Sequence, residues 1–245
     1  VDDVTLLLAL CMMLAAALYS SVGHAGSSAY IALMALFGID AAVMRPTALV
    51  LNIIVGTLAS ARFVRAGLFR WRVLWPFLVT AVPMALLGGT IELPTTLYRP
   101  LVGLVLWFSA VRLLWPRDLK VQTENRDPPL IYALPVGAGI GLLAGLTGTG
   151  GGIFLSPLLL LLAWAPTRQA SGVAAVFVLA NSVAGLGGQI ATLDKLPPEL
   201  PIYAGAVLIG GVIGTTMGIR IDQKIILKLL GVVLLIAGAK LIGIY

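Results

Sequence analysis

Leu146-Thr147-Gly148-Thr149-Gly150-Gly151-Gly152-Ile153-Phe154-Leu155-Ser156-Pro157-Leu158 interrupts an apolar run of membrane length, and an earlier stretch, Gly23-His24-Ala25-Gly26-Ser27-Ser28, does the same. Each break follows a full apolar segment and precedes a short one. In hydrocarbon a non-helical backbone leaves N–H and C=O groups unpaired, at several kcal/mol each unless protein, water or ligand satisfies them. Two matched breaks therefore point to a binding site at membrane depth, built from one contribution in each half of the chain.

Composition agrees with a membrane setting. Of the 245 residues 60% are hydrophobic and 11% charged, and the mean hydropathy is +1.05. Soluble domains carry about 25% charged residues. The expected fold class is an all-α polytopic membrane protein, multi-pass in a bacterial-type plasma membrane, with the lipid bilayer as its first partner. The net charge of +6 does not point to nucleic acid, because the basic residues gather at segment ends. Arg62, Arg65, Arg70 and Arg72 share one short loop, and Arg112, Arg117, Lys120 and Arg126 another. Cytoplasmic loops have this distribution. Cys11, the only cysteine, lies in an apolar segment, so it reads as a small buried hydrophobe and no intrachain disulfide is possible. The first apolar stretch has neither a basic n-region nor an A-x-A site and reads as a retained membrane helix.

Five apolar segments are expected in each half. They run Val4 to Val22, Ser27 to Gly38, Ala41 to Val64, Val73 to Ile91 and Leu97 to Trp115, then Leu130 to Thr147, Gly151 to Trp164, Gln169 to Thr192, Pro201 to Gly218 and Ile225 to Ile244. The polar stretch between them divides the chain into a first repeat (1–115), a cytoplasmic linker (116–129) and a second repeat (130–245). Gly23 and Gly26 correspond to Gly148 and Gly151, Asn52 with Gly56 to Asn181 with Gly185, and Leu87-Gly88-Gly89 to Ile213-Gly214-Thr215. Leu101-Val102-Gly103-Leu104-Val105-Leu106 likewise matches Leu229-Leu230-Gly231-Val232-Val233-Leu234. Four matches in order indicate an internal duplication.

Placing the Arg62–Arg72 loop and the linker inside puts the Glu92 loop and the acidic N-terminus outside. The loop with Arg220 and Lys224 then falls inside, and that with Asp194, Lys195 and Glu199 outside. Equivalent loops lie on opposite faces, so the repeats are expected to be inverted, as five segments per half also require. The short second segment of each half spans only about 20 Å at 1.5 Å per residue, against a bilayer core of about 30 Å. The first two segments of each half are therefore read as a broken or re-entrant hairpin with a glycine-rich apex, followed by three transmembrane helices.

A short helix starting at Ser27 or Gly151 would present unpaired N–H groups and about half a positive charge at its N-terminus. Gly23, Gly26, Gly148, Gly150, Gly151 and Gly152 would let an anion approach the backbone, while Ser27, Ser28, Thr147 and Thr149 add hydroxyl donors. The competing role for these glycines is a tight turn or close helix packing. Packing is the preferred role for Gly137, Gly141 and Gly145, and for Gly210, Gly214 and Gly218, which recur at four-residue spacing.

Asn52 and Asn181 sit mid-segment, where an amide needs a partner. They would either donate to substrate or bridge to the free backbone of the breaks, and Thr47, Ser171, Ser182 and Gln189 are weaker candidates of the same kind. Arg45 and Arg168 are read as snorkelling at the interface, with a vestibule that attracts anions as the alternative. His24, the only histidine, would hydrogen-bond its turn or couple substrate to protons, the former being preferred. Every Asp and Glu lies in a terminus, loop or linker, which leaves no intramembrane carboxylate for Na⁺ or a proton relay. One histidine excludes H-E-x-x-H, and Gly148 to Gly152 lacks the Lys-Ser/Thr of a Walker A loop. No enzyme, metal or cofactor is expected.

The stretch Thr147 to Leu158 resembles the G-x-G-G-G-hydrophobic-P-L signature of the TauE/SafE sulfite exporter family, also described as toluene-sulfonate uptake permeases. The resemblance covers nearly the whole chain, including the two repeats, the Arg-rich loop after the Asn52 segment and the polar linker. It implies secondary transport of small sulfur-containing anions such as sulfite, sulfonates or sulfoacetate. The first repeat departs from the pattern, with His24-Ala25-Gly26-Ser27-Ser28 where more glycines would be typical. Alternating access by one repeat rocking against the other is the expected mechanism. A passive anion channel and a non-transporting anchor or regulatory subunit are the rivals, and a homo-oligomer stays open.

Overall fold

The computed structural model describes residues 2–21, 23–114, 127–190, 196–217 and 223–243. Among them are ten α-helices and no strand. The first five are α1 (Asp3–Ser21), α2 (Ser27–Leu36), α3 (Ala41–Arg65), α4 (Trp71–Thr90) and α5 (Thr95–Leu114). After the linker come α6 (Leu130–Thr147), α7 (Gly152–Leu161), α8 (Thr167–Gly188), α9 (Leu200–Met217) and α10 (Gln223–Ile242). Each expected segment is a helix within a few residues of its expected ends. Most of the linker, with Arg117, Lys120 and Arg126, lies outside the described residues, as do Asp194, Lys195 and Arg220.

Helices α1, α3, α4, α6 and α8 are long and apolar enough to cross a membrane. Helices α2 and α7 have 10 residues each, about 15 Å, so both breaks are real interruptions with a short helix after them. Prolines inside α3, α4, α5, α6 and α7 do not end those helices, since neighbouring helices satisfy the freed carbonyls in a membrane bundle. Large apolar side chains face outward along the bundle, including Leu6, Leu10 and Leu14 on α1, Val79 and Leu86 on α4, and Leu104 and Phe108 on α5. In water such a belt would drive association; facing lipid it is solvated.

The buried side chains form two cores, and neither follows the halves of the sequence. One joins α1, α2 and the first part of α3 to α5, α9 and α10, with Met12, Tyr30, Leu51, Leu106 and Leu234 among its members, and takes in Ile153 of α7 and Val178 of α8. The other joins α4 to α6, α7 and α8 through Leu74, Phe77, Leu155, Leu159 and Phe177. The contacting pairs exchange when the halves are swapped. α4 packs on α6 as α9 packs on α1, while α3–α8 and α5–α10 pair with their own counterparts.

Glycine makes the cross-half contacts possible. A Cβ at Gly137 would stand 2.5 Å from Phe77 O, at Gly141 2.2 Å from Ala81 O, and at Gly145 2.2 Å from Ala85 O, all on α4. On the other side Gly210 and Gly214 press on Met13 O and Ala17 O of α1 in the same way, at 2.1 and 1.9 Å. Lipid tails are as apolar as leucine, so helices in a membrane gain from such backbone-to-backbone approach rather than from hydrophobic burial. Both four-residue glycine series are packing stripes, as expected; Gly218 lies outside the described residues.

The hairpins open at different ends of the bundle. The end of α2 meets the end of α10, where Lys240 Nζ donates to Leu36 O (2.9 Å). The residues after α7 meet the start of α4, where Trp164 packs on Phe77 with ring centroids 6.0 Å apart.

Candidate functional site

Both breaks are left-handed glycine turns. Gly23 has φ 80° and Gly26 φ 101°, while Gly148, Gly150 and Gly151 have φ 81°, 69° and 80°. A residue with a Cβ loses about 1–2 kcal/mol in that region. Gly26 and Gly151 are also the N-caps of α2 and α7, so neither cap residue offers a side chain to its helix. The amides of Phe154 and Leu155 donate to Gly151 O (3.1 and 3.3 Å), which leaves the N–H groups of Gly152 and Ile153 outside the helix's own ladder.

The two apices touch. Ser27 Oγ donates to Thr149 O at 2.5 Å, one hydrogen bond across the halves. His24 Nε2 stands 3.2 Å from Ser156 Oγ on α7, and its ring edge lies 3.5 Å from where a Cβ of Gly152 would be. The His24 amide donates to Tyr19 O (2.9 Å), closing the first turn, and Ser28 Oγ donates to Tyr19 Oη at 3.0 Å. Each apex also rests on the long third helix of the other half. Gly23 lies against Ser171 O of α8, and Gly148 against Arg45 O of α3.

Asn52 joins these parts. Its Oδ1 accepts from the Ser27 amide, the first N–H of α2, at 3.1 Å. Its Nδ2 donates to Ser182 Oγ on α8 at 3.2 Å. So Asn52 takes the bridging role of the two open to it. Asn181, its counterpart, is fully buried, yet neither Nδ2 nor Oδ1 has a hydrogen-bond partner among the described residues. Thr147 gives its proton to Leu143 O (2.6 Å) and lies 2.9 Å from Thr149 Oγ1, which makes Thr149 the donor between them.

The glycines of the second break serve the tight turn and the close packing. A Cβ at Gly150 would stand 2.6 Å from Asn52 Nδ2, at Gly151 2.7 Å from Ile140 Cγ2, and at Gly152 2.3 Å from Val178 Cγ2. The turn is therefore closed against α3, α6 and α8.

Arg45 departs from expectation. It does not snorkel: it is 7% exposed. Its guanidinium caps the end of α4, donating to Ile91 O (2.9 Å), Gly88 O (2.5 Å) and Gly89 O (3.0 Å), with Nε donating to Gly145 O of α6 (2.9 Å). A helix C-terminus leaves four carbonyls without partners and carries negative partial charge, so a buried cation stabilises it there. Arg168 is exposed, in keeping with an interface position. Beside Arg45 lies a cavity of about 160 Å³ whose lining includes Glu92, Thr95, Tyr98 and Gln189. Tyr98 Oη donates to Thr147 O (3.2 Å), so one residue of the cavity wall holds the second apex directly.

Sequence reasoning missed Tyr19, Tyr98 and Ser156. Tyr19 stands four residues before the first break and Ser156 four after the second, one helical turn in each case, which is the only signal the chain offers for them. Tyr98 is brought in by the fold alone.

Comparison with known proteins agrees with this architecture. The family model described as sulfite exporter TauE/SafE matches residues 8–241. A curated relative from Sinorhizobium fredii (strain NBRC 101917 / NGR234), named probable membrane transporter protein y4hK, is 39% identical over 239 residues, covering 96% of this chain and 97% of its own. No solved structure matches. With its apolar helices and outward-facing leucines, this is a multi-pass protein of the plasma membrane. The chain belongs to the TauE/SafE sulfite exporter family of membrane transporters.

Proposed function

We propose that the protein is a secondary transporter of a small sulfur-containing anion of the sulfite, sulfonate or sulfoacetate type, working by alternating access around the two glycine apices. The observation that carries this reading is the meeting of two helix N-termini that begin on glycine deep in the bundle, one held by Asn52 and one with its first N–H groups outside the helical ladder, with hydroxyl and amide side chains gathered round them. Helix N-termini offer an anion oriented N–H donors, while the buried Arg45 guanidinium beside them is committed to the carbonyls of Gly88, Gly89, Ile91 and Gly145. The substrate site is built from Gly23, His24, Gly26, Ser27, Ser28, Asn52, Thr147, Gly148, Thr149, Gly150, Gly151, Gly152 and Asn181, which either touch the anion or hold the apices in place, a reading supported by the contacts between the two apices. No enzyme activity is assigned to the chain.

The repeats are read as inverted, which the opening of the two hairpins at different bundle ends supports. The moving bodies are drawn from both halves. α4, α6 and most of α7 and α8 share one core and α1, α2, α5, α9 and α10 the other, with Ile153 and Val178 reaching across to the latter, and the apices are read as parting along the seam between the cores. The cavity at Arg45 opens on the side of the Glu92 loop and would serve as the approach to the second apex from that face.

The test is uptake of radiolabelled sulfite by proteoliposomes containing the wild type or Gly151→Val. A β-branched residue at φ 80°, with Ile140 Cγ2 2.7 Å from its Cβ, cannot keep the turn. Uptake should fall at least tenfold while the variant remains inserted; normal uptake would sink the site. Stimulation of uptake by unlabelled sulfite inside the vesicles is expected of a carrier, and its absence would favour a channel.

A further inference from the structure

The two halves are alike in sequence at Asn52 and Asn181 but not in what those amides do. Asn52 is spent: its oxygen holds the first N–H of α2 and its nitrogen holds Ser182. Asn181 has the same burial and holds nothing with either atom. A buried amide with both atoms unpaired is costly, because each has given up its bonds to water. Such a group in a native fold calls for a specific partner.

Register shows where that partner would sit. The α8 residues pressed against the glycine turn are Ala174, Phe177, Val178 and Ser182: Phe177 at Gly151, Val178 at Gly150 and Gly152, Ser182 at Gly150, and Ala174 O at Gly152. Asn181 follows Ala174, Phe177 and Val178 at helical spacings of seven, four and three, so it lies on that same stripe. The turn it faces carries the Gly152 and Ile153 N–H groups left outside the helical ladder. By the exchange of halves, the first N–H of α7 is the group that Asn181 would bind if it copied Asn52.

The open valences also have a sign. Asn181 Nδ2 and the two backbone N–H groups are donors and need an acceptor, which any oxyanion supplies. Asn181 Oδ1 is an acceptor and needs a donor, which a bare sulfonate or sulfite dianion lacks. One small ligand that meets both demands is an oxyanion bearing its own hydroxyl.

On this basis we infer that the transported species binds on the second-half side of the apex alone, as a monoanion carrying a hydrogen-bond donor, hydrogensulfite being the simplest case. Its S–O⁻ oxygens accept from Gly152 N, Ile153 N and Asn181 Nδ2, and its O–H donates to Asn181 Oδ1. Asn52 is a positioning residue that fixes the first apex. No bond is made or broken, and the proton travels with the cargo, in keeping with a chain whose ten acidic residues all lie in its termini, loops and linker.

This inference rests on the transport reading, and the test separates the two. Binding of hydrogensulfite and of methanesulfonate would be compared by thermal shift and by competition with labelled sulfite, in mildly acidic buffer where both are monoanions. The pair differs in a hydroxyl against a methyl group. Wild type should bind hydrogensulfite about tenfold more tightly, the value of one well-made hydrogen bond. Asn181→Leu should lose that preference without unfolding at a lower temperature, since no protein bond is removed. Asn52→Leu should unfold at a lower temperature and keep the preference. Equal binding of the two anions by wild type, or a preference that survives Asn181→Leu, overturns the inference and leaves the transporter standing. Failure of wild type to bind either anion sinks both.

Discussion

Two glycines of α6 lie two residues apart and should answer the same substitution with opposite signs. Gly139 faces outward, and a Cβ there meets nothing within 4 Å. Gly141 faces α4, and its Cβ would stand 2.2 Å from Ala81 O, 2.5 Å from Ala81 Cα and 2.7 Å from Ala81 C. Ordinary contact begins near 3.4 Å, so α6 would have to withdraw from α4 by about 1 Å. Backbone lies on both sides of that contact, so no rotamer change relieves it. Alanine gains about 0.5–1 kcal/mol over glycine in a helix interior at either position. Overpacking costs about 1–3 kcal/mol in an ordinary core, and a contact against backbone belongs at the upper end of that range. Gly139→Ala should thus be neutral or stabilising by a few tenths to 1 kcal/mol, and Gly141→Ala destabilising by about 2 kcal/mol net. Thermal unfolding of the purified variants in detergent, followed by size-exclusion chromatography, reads the difference directly. Equal melting temperatures would refute the account of α4 and α6 as a glycine-joined pair.

Two further outcomes are expected. Arg45→Met should lower stability by about 3 kcal/mol, because the carbonyls of Gly88, Gly89 and Ile91 lose a charged donor at once; Arg45→Lys should recover only part of this, an ammonium being unable to match the fork, and full recovery in a melting assay would show that the charge alone matters. In a Cys11→Ser background, an impermeant maleimide should label Pro198→Cys on intact cells and Arg72→Cys only after permeabilisation; labelling of both from one side would rule out inverted repeats.

The elements were legible because hydrocarbon enforces a strict rule on the backbone. Ten apolar runs became ten helices, and Leu130–Thr147 kept both expected ends. The two breaks were legible for the same reason, since no other arrangement explains Gly148-Thr149-Gly150-Gly151-Gly152 inside such a run. Packing stripes were legible at Gly137, Gly141 and Gly145 because spacing alone places them on one face. What pattern could not supply was partnership. Arg45 follows α2 much as Arg168 follows α7, and only the fold shows that the first is buried under the end of α4 while the second is exposed. Asn52 and Asn181 are likewise equivalent as letters, and only their direct hydrogen-bond partners separate them. Chemistry of a site is set by such differences, and likeness of letters conceals them.

The glycine stripes also govern the order in which the protein is assembled. Helix α1 is made well before the helix whose Gly210 and Gly214 fit against it, α9, with seven helices between them. The groove at Met13 and Ala17 therefore waits open while α2 to α8 are made, exposed to lipid and to other nascent chains. A ribosome that stalls before Leu200 releases a membrane protein with its longest-waiting surface still unfilled, the kind of product that quality control recognises. Conversely, the two halves made as separate polypeptides carry complementary grooves, and each supplies what the other lacks.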